Sequence, residues 1–231
     1  MGIIIMINNI ESKIKEIKTF VDIIQDSELK QKTIDLIDSI LLKESYRLSP
    51  AAKKVHHSYT GGLIDHTLST TKIGLAIAQQ LDQIYGFKTD KDTIIASCLL
   101  HDLYKPYTYN KTDPTLNSPL GNYMDHLTMI VIKLVQNKFP FKVVHAVAAH
   151  HGDPGPVRPE TLEAMIVHLA YYVDSKLNGD ILRKAKTIYQ DEIKEGEEPK
   201  DILAALNIFE KRQVKIESAE KEFNCLFNNK E

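Results

Sequence analysis

His101 and Asp102 stand side by side in the stretch LLHDLYK, at the end of an apolar run, with Lys105 three residues on. An imidazole and a carboxylate are a metal-ligand pair or an acid–base pair if both can reach one point. Inside a helix they cannot, because successive residues turn by about 100°. A helix end relaxes that limit, so the pair predicts a helix that stops there with both side chains free to close on one ion. The other histidines of the nine are His56, His57, His66, His126, His145, His150, His151 and His168, most of them at predicted helix ends or just inside helices. Any one alone reads as a surface or hydrogen-bonded core residue; the set is a supply of ligands. Neutral imidazoles with carboxylates suit Mn, Fe, Ni or Zn better than Mg or Ca, which favour all-oxygen shells.

The elements that must position these residues read as helices throughout. Ile10, Ile14, Ile17, Val21 and Ile24 recur at spacings of three and four, the stripe of one helix, and Ile34, Ile37 and Leu41 start another. TGGLIDHTLSTTKIGLAIAQQLDQIYG predicts a long helix closed by Gly86, and DKDTIIASCLLHDL the next, capped by Asp90 or Asp92. NYMDHLTMIVIKLVQNKF, FKVVHAVAAHH up to Gly152, and ETLEAMIVHLAYYVDSKL predict three more. From Pro199 a last helix carries Ile202, Leu206 and Phe209 on one side, after the exposed connection YQDEIKEGEEPK. No segment reads as a strand of consequence, so the fold class is all-α.

Bulk properties narrow the function. Among 231 residues, 43% are hydrophobic and 26% charged, with a formal net charge of −2. That excludes a disordered chain and a polybasic surface that would seize nucleic acid non-specifically. Cys98 and Cys225 form no CxxC pair, which points away from a disulfide framework or a thiolate zinc site and towards a reducing cytosol. The start MGIIIMINNI lacks a basic region and a cleavage site, and nowhere are there about 18 continuous apolar residues. The expectation is a cytoplasmic protein that does not span a membrane.

The ordered stretches SPAAKKVHHSYTGGLIDHTLS, LLHDLYK, GNYMDHLTMI, AVAAHHG and EAMIVHLAYYVDSKLN resemble the successive motifs of the HD-domain metal-dependent phosphohydrolases, above all the HD domain of the YhaM-family 3′-end exoribonucleases. The resemblance runs from about Leu48 to Asn178. It implies a helical HD bundle at 48–190, a helical N-terminal extension at 1–47, and a C-terminal helical segment at 191–231 packed on the same domain. It also implies that His66, His101 and Asp102 hold one divalent ion and that His126, His150 and His151 hold a second, with Asp102 bridging. Mn²⁺ is the first choice, with Fe, Ni or Zn as alternatives. Two ions roughly 3.5–4 Å apart generate hydroxide near neutral pH and clamp phosphoryl charge.

Two positions depart from the family pattern. The family's last Asp ligand falls at Tyr171, and Asp174, three residues on and on the same helix face, is the carboxylate that remains as a candidate ligand, against a reading in which it bonds Lys176 or solvent. Tyr104 stands where the family has Gly, a ring that would narrow the pocket or stack on a base. Lys105 matches a family lysine that points at a phosphate oxygen, and His57 a histidine ahead of GGL that faces the site. Arg158, in the loop GPVRP, is a further phosphate-clamp candidate. His145 and His168 fall on other helix sides than the ligands, and Asp65 and Asp125 read as outer acceptors or surface residues.

The function expected is a phosphohydrolase or phosphodiesterase in which a metal-bound hydroxide attacks a phosphoester, with Asp102 and Lys105 as catalytic residues. The residues ahead of the matched region read as helices, not as the OB-type barrel of YhaM proteins, and leave a homo-oligomer interface or a lid as readings of that segment. Without such a module, a mildly acidic chain suits a nucleotide, a cyclic nucleotide or a short oligonucleotide better than long RNA. The alternatives are a non-catalytic HD module that binds metal or nucleotide, and redox chemistry at a dinuclear iron site, as in an oxygenase.

Overall fold

The computed structural model describes residues 2–41, 43–193 and 196–228. Residues 194 and 195 of the charged connection lie outside them. The chain forms two compact units, Met1–Lys176 and Leu177–Glu231. Its helices are α1 (Gly2–Asp22), α2 (Ser27–Leu41), α3 (Glu44–Arg47), α4 (Gly62–Tyr85), α5 (Lys91–Leu100), α6 (Lys105–Thr108), α7 (His126–Gln136), α8 (Phe141–Ala148), α9 (Leu162–Ile188) and α10 (Ile202–Asn228). The described residues contain no strand, only an isolated antiparallel bridge between Tyr109 and Asn117. The all-α expectation holds, and no helix of the described residues is long and apolar enough to cross a membrane.

In the first unit α5 is the centre. Every residue from Thr93 to Leu100 is buried, so this short helix is enclosed on all sides rather than lying on a surface with one apolar stripe. One cluster joins Ile95, Leu99 and Leu100 to the α1 stripe of Ile10, Ile14, Ile17 and Val21, to Leu36, Ile37 and Leu41 of α2, and to Ile130 and Leu134 of α7. The other side of α5, through Ile94 and Cys98, meets Ala146 and Ala149 at the end of α8 and Ala164, Ile166 and Val167 of α9. Small residues let these backbones come close: a Cβ on Gly74 of α4 would meet Cys98 Sγ and Ile94 Cγ2 at 3.2 Å. The end of α5 is thereby fixed from several directions.

Three helix boundaries bear on histidines, one as the sequence requires and two shifted from it. α5 ends at Leu100, leaving His101 and Asp102 in the turn that follows, as the adjacent pair requires. α8 ends at Ala148 instead of reaching Gly152, so His150 and His151 leave the helix before they could be set about 100° apart on its surface. α7 does not begin at Asn122: residues Leu120–Asn122 form a separate 3₁₀ turn, and Asp125 caps a helix whose first residue is His126. In the second unit Ala205 and Ile208 of α10 are buried while Leu206 is exposed, so the apolar face there runs through Ala205 and not through Leu206 as its spacing suggested.

Asp90 caps α5: its carboxylate accepts from Thr93 N at 3.1 Å and pairs with Lys142 of α8. Burial pushes the carboxyl up, but Lys142 and the Thr93 hydrogen bonds outweigh it and hold it below its ordinary value. Its contribution is therefore present above the ordinary carboxylate range and lost as pH falls through the depressed value. Asp90→Ala should lower stability by about 1 kcal/mol at neutral pH, chiefly through the cap because the half-exposed ion pair is screened. Urea unfolding of the two proteins should converge in acid; a gap that persists there would assign the effect to something other than the carboxylate.

Candidate metal centre

Each site residue sits where a helix begins or ends, or on α9. Gly61, with φ +79°, lets the chain enter α4, and Gly62 must lack a side chain because its Cβ would lie 2.2 Å from the His57 carbonyl oxygen. This close approach folds the segment carrying His56 and His57 over the first turn of α4, and His57 itself takes φ 44°, a conformation that is strained for a residue with a Cβ. His66 follows in the second turn of α4. The end of α5 supplies His101 and Asp102, the start of α7 supplies His126, the turn after α8 supplies His150 and His151, and α9 supplies Tyr171 and Asp174 on one face.

Asp102 is where they meet. Its Oδ2 lies 3.2 Å from His66 Nε2 and 3.3 Å from His101 Nε2, and these two nitrogens are 3.1 Å apart. Its Oδ1 lies 3.2 Å from His126 Nε2 and 3.8 Å from His150 Nε2. His126, His150 and His151 offer ligand atoms within 4.8 Å of one another. One carboxylate thus turns one oxygen to each of two groups of imidazoles.

The outer nitrogens fix the tautomers. His101 Nδ1 donates to the Cys98 carbonyl at 2.8 Å, His150 Nδ1 to the Val147 carbonyl at 2.7 Å, and His66 Nδ1 to Asp174 Oδ2 at 2.5 Å. The Nε2 atoms of these rings then carry lone pairs, and all of them face an acceptor-only carboxylate. Acceptors crowd together with little to donate: both oxygens of Asp102, His126 Nε2 and His150 Nε2 are buried without a hydrogen bond among the described residues. Lys105 Nζ, 2.5 Å from Asp102 Oδ2, supplies charge to that oxygen, though not in line for a hydrogen bond. Such an arrangement fits cations. Bonds of about 2.1 Å at right angles put ligand atoms about 3 Å apart, close to the 3.1–3.3 Å spacing of the first group. An imidazole-rich donor set with a shared carboxylate suits Mn, Fe, Ni or Zn.

Burial makes most of the imidazoles neutral. It pulls His150 well below the usual range and lowers His101; His151 falls to about 4, and His56 and His57 to about 3. His66 differs: burial draws it down, but the Asp102 carboxylate beside it and its hydrogen bond with Asp174 reverse the sign and raise it. Burial would raise Asp102, yet the Lys105 ammonium and His101 hold it well below the ordinary carboxylate value.

A cavity of about 560 Å³ opens over this cluster, with Lys105, His126, His151, Tyr171 and His56 in its floor and Tyr109, Tyr172, Lys53 and Lys176 around it. Four residues singled out in the sequence stand elsewhere than expected. Asp174 lies on the Nδ1 side of His66, away from Asp102, so it orients a ring in place of supplying a ligand atom to that group. His57 lies under His56, 3.6 Å from Asp174 Oδ2, and it is His56 that lines the cavity. Tyr104 stacks on Tyr107 with centroids 5.2 Å apart and packs against the core. Arg158 is a surface residue paired with Asp153, its side chain 76% exposed. Lys53, Tyr109, Tyr172 and Lys176 carry no site signal in the sequence, because nothing in their local spacing sets them apart from surface lysines and tyrosines.

The remaining candidates have structural partners. His168 Nδ1 reaches the His150 carbonyl at 2.9 Å, with Gly152 close against its ring, and His145 Nε2 accepts from Glu160 N. Asp65 pairs with Lys13 of α1 at 2.5 Å, and Asp125 caps α7.

A helical bundle that gathers histidines from four helix ends around one buried Asp is the architecture of a metal-centred hydrolase. Residues 63–175 match the HD domain family. The chain is 41% identical over 177 residues to the dihydroneopterin 2′,3′-cyclic phosphate phosphodiesterase of Methanocaldococcus jannaschii, an alignment covering 73% of this chain and 71% of that protein. It is 28% identical over 165 residues to the 3′-5′ exoribonuclease YhaM of Bacillus subtilis and 31% identical over 140 residues to that of Oceanobacillus iheyensis, covering 65% and 56% of this chain. These alignments span 51% and 43% of the YhaM chains, about half their length. No solved structure matches. The chain belongs to the HD-domain family.

Two outcomes follow from the arrangement of His66. Asp174→Ala should weaken divalent-ion binding roughly 10- to 100-fold by freeing the ring, with helix content unchanged; calorimetry with Mn²⁺ that showed parental affinity would remove Asp174 from this role. Because His66 is raised, it takes a second proton, at Nε2, at a higher pH than an ordinary imidazole; Mn²⁺ affinity should therefore fall as pH drops through that range, and binding there should release protons measurable in weakly buffered solution.

Proposed function

We propose that this HD-domain hydrolase opens a cyclic phosphodiester on a small molecule bearing a flat heterocycle, the class to which 2′,3′-cyclic phosphates of nucleosides and pterins belong. The observation that carries this reading is the cavity over Asp102. Its volume of about 560 Å³ lies in the range of small-molecule pockets. Three lysines, Lys53, Lys105 and Lys176, and three tyrosines, Tyr109, Tyr171 and Tyr172, line it, with no Asp or Glu in its wall among the described residues. Lysine side chains in the wall suit an anionic phosphoester, and tyrosine faces with Val55 and Pro154 suit a planar ring. The relative from M. jannaschii, named for a substrate with both parts, supports the same reading. A chain with net charge −2 offers little of the electrostatic footprint that an extended nucleic acid requires.

In this reading His66, His101 and Asp102 hold one divalent ion and His126, His150 and His151 a second, with Asp102 shared and Mn²⁺ as the first choice, Fe²⁺, Ni²⁺ or Zn²⁺ as alternatives. When bound, the ions supply Lewis acidity for water activation and charge neutralisation at phosphorus. The chain itself does the rest. Lys105, held by Asp102 at the cavity floor, contacts a non-bridging phosphate oxygen. Tyr109 and Tyr172 flank the heterocycle, and Lys53, tethered to Asn117, closes the anionic end of the wall.

With Mn²⁺ or Fe²⁺ the protein should convert dihydroneopterin 2′,3′-cyclic phosphate and 2′,3′-cyclic GMP to monoesters, followed by phosphorus NMR, and leave single-stranded RNA 3′ ends intact. His101→Ala and Asp102→Ala should each cost about 10³-fold or more in rate, the several kcal/mol that metal-assisted charge stabilisation supplies. Turnover of RNA in place of the cyclic esters would sink the substrate assignment.

A further inference from the structure

The ring of Tyr171 stands between the two groups of imidazoles. Its centroid is 4.9 Å from that of His150 and 5.3 Å from His151 on one side, and 5.4 Å from His66 and 5.9 Å from His101 on the other, each pair meeting at a steep angle. A phenol so packed has an apolar ring against its neighbours and one polar group, the O–H. Tyr171 also lines the cavity. Ser175, one turn on along α9 and also in the cavity wall, is the hydroxyl that acts on the phenol oxygen. Tyr171 is therefore a phenol in the cavity wall whose ring stands between both ligand groups.

We propose that Tyr171 is a catalytic hydrogen-bond donor to the oxygen that leaves phosphorus as the cyclic diester opens, an inference that rests on the cyclic-phosphodiester reading above. In that step the hydroxyl part of a water adds to phosphorus, and the bond from phosphorus to one ring oxygen breaks. The electron pair of that bond stays on the departing oxygen, and the proton shed by the water returns to it, giving a monoester and a free alcohol. Charge concentrates on a single alkyl oxygen as the bond breaks, so a fixed O–H aimed there lowers the barrier. A nitrophenolate spreads its charge over its ring and gains little from such a donor. Lys105, held 2.5 Å from Asp102 Oδ2, serves a non-bridging oxygen and not the leaving one.

Tyr171→Phe in the full chain, which keeps the ring and removes only the O–H, tests this with two substrates. Rates on 2′,3′-cyclic GMP, with its alkyl leaving oxygen, and on bis-p-nitrophenyl phosphate are each divided by the parent's rate, and Mn²⁺ stoichiometry is measured alongside. The expected result is a loss of about 10²- to 10³-fold on the cyclic ester, a change within about threefold on the nitrophenyl ester, and unaltered metal content. Equal losses on both substrates, or metal loss, would make Tyr171 a structural residue and overturn the proposal, as would an undiminished rate on the cyclic ester. A parent protein that cleaves the nitrophenyl ester but is inert on cyclic esters overturns the substrate reading, and this role of Tyr171 with it.

Discussion

The carboxylate of Asp102 is the constraint around which the first unit is built. A buried anion costs several kcal/mol unless charge and hydrogen bonds compensate it, and here the side chain is fully enclosed. Lys105 contributes one positive charge, and imidazoles from α4, the end of α5, α7 and the turn after α8 converge on the two oxygens. With the outer nitrogens of His66, His101 and His150 already donating, their inner nitrogens and the carboxylate are acceptors pressed together. That is an unfavourable assembly by itself and a favourable one around cations. The same feature that makes the cluster costly to fold is what gives it affinity for metal.

The device that aims the rings recurs. Helices leave their last carbonyls without intrahelical partners. At the end of α5 the Cys98 carbonyl takes the Nδ1 proton of His101, and at the end of α8 the Val147 carbonyl takes that of His150, each three residues back along the chain. One bond to a helix-end carbonyl fixes a tautomer and directs the other nitrogen inward. His66, inside a helix where carbonyls are occupied, has no such partner and uses Asp174 from α9. The tight entry into α4 at Gly62 and the strained His57 belong to the same economy of space, packing two further histidines behind His66.

Much of this was legible in the chain alone. The α1 stripe from Ile10 to Val21 is buried as its spacing requires, Gly86 and Asp90 end and cap their helices, and the seven residues His66, His101, Asp102, Lys105, His126, His150 and His151 do come together. Local signals account for these: periodicity, capping chemistry, and an imidazole beside a carboxylate at a helix end. Helix ends were less legible, since α8 stops at Ala148 where the apolar pattern continues to Ala149. The misplaced residues fail for a common reason. For Tyr104, Arg158 and His57 a motif or loop position fixes where the residue falls in the chain, but which way each points depends on what packs across from it.

The order of residue types along the chain by itself determined that this protein is helical, that it carries a histidine-rich metal-binding set, and which family's motifs it bears, because helix periodicity and ligand chemistry are written within a turn or two of each residue. Only the tertiary structure decided that Asp174 supports His66 from behind, that Tyr171 sits between both groups, and that Lys53, Tyr109, Tyr172 and Lys176 share a cavity wall. Those are relations between side chains far apart in sequence, and the packing of α4, α5, α8 and α9 around one enclosed helix sets them, not any local preference.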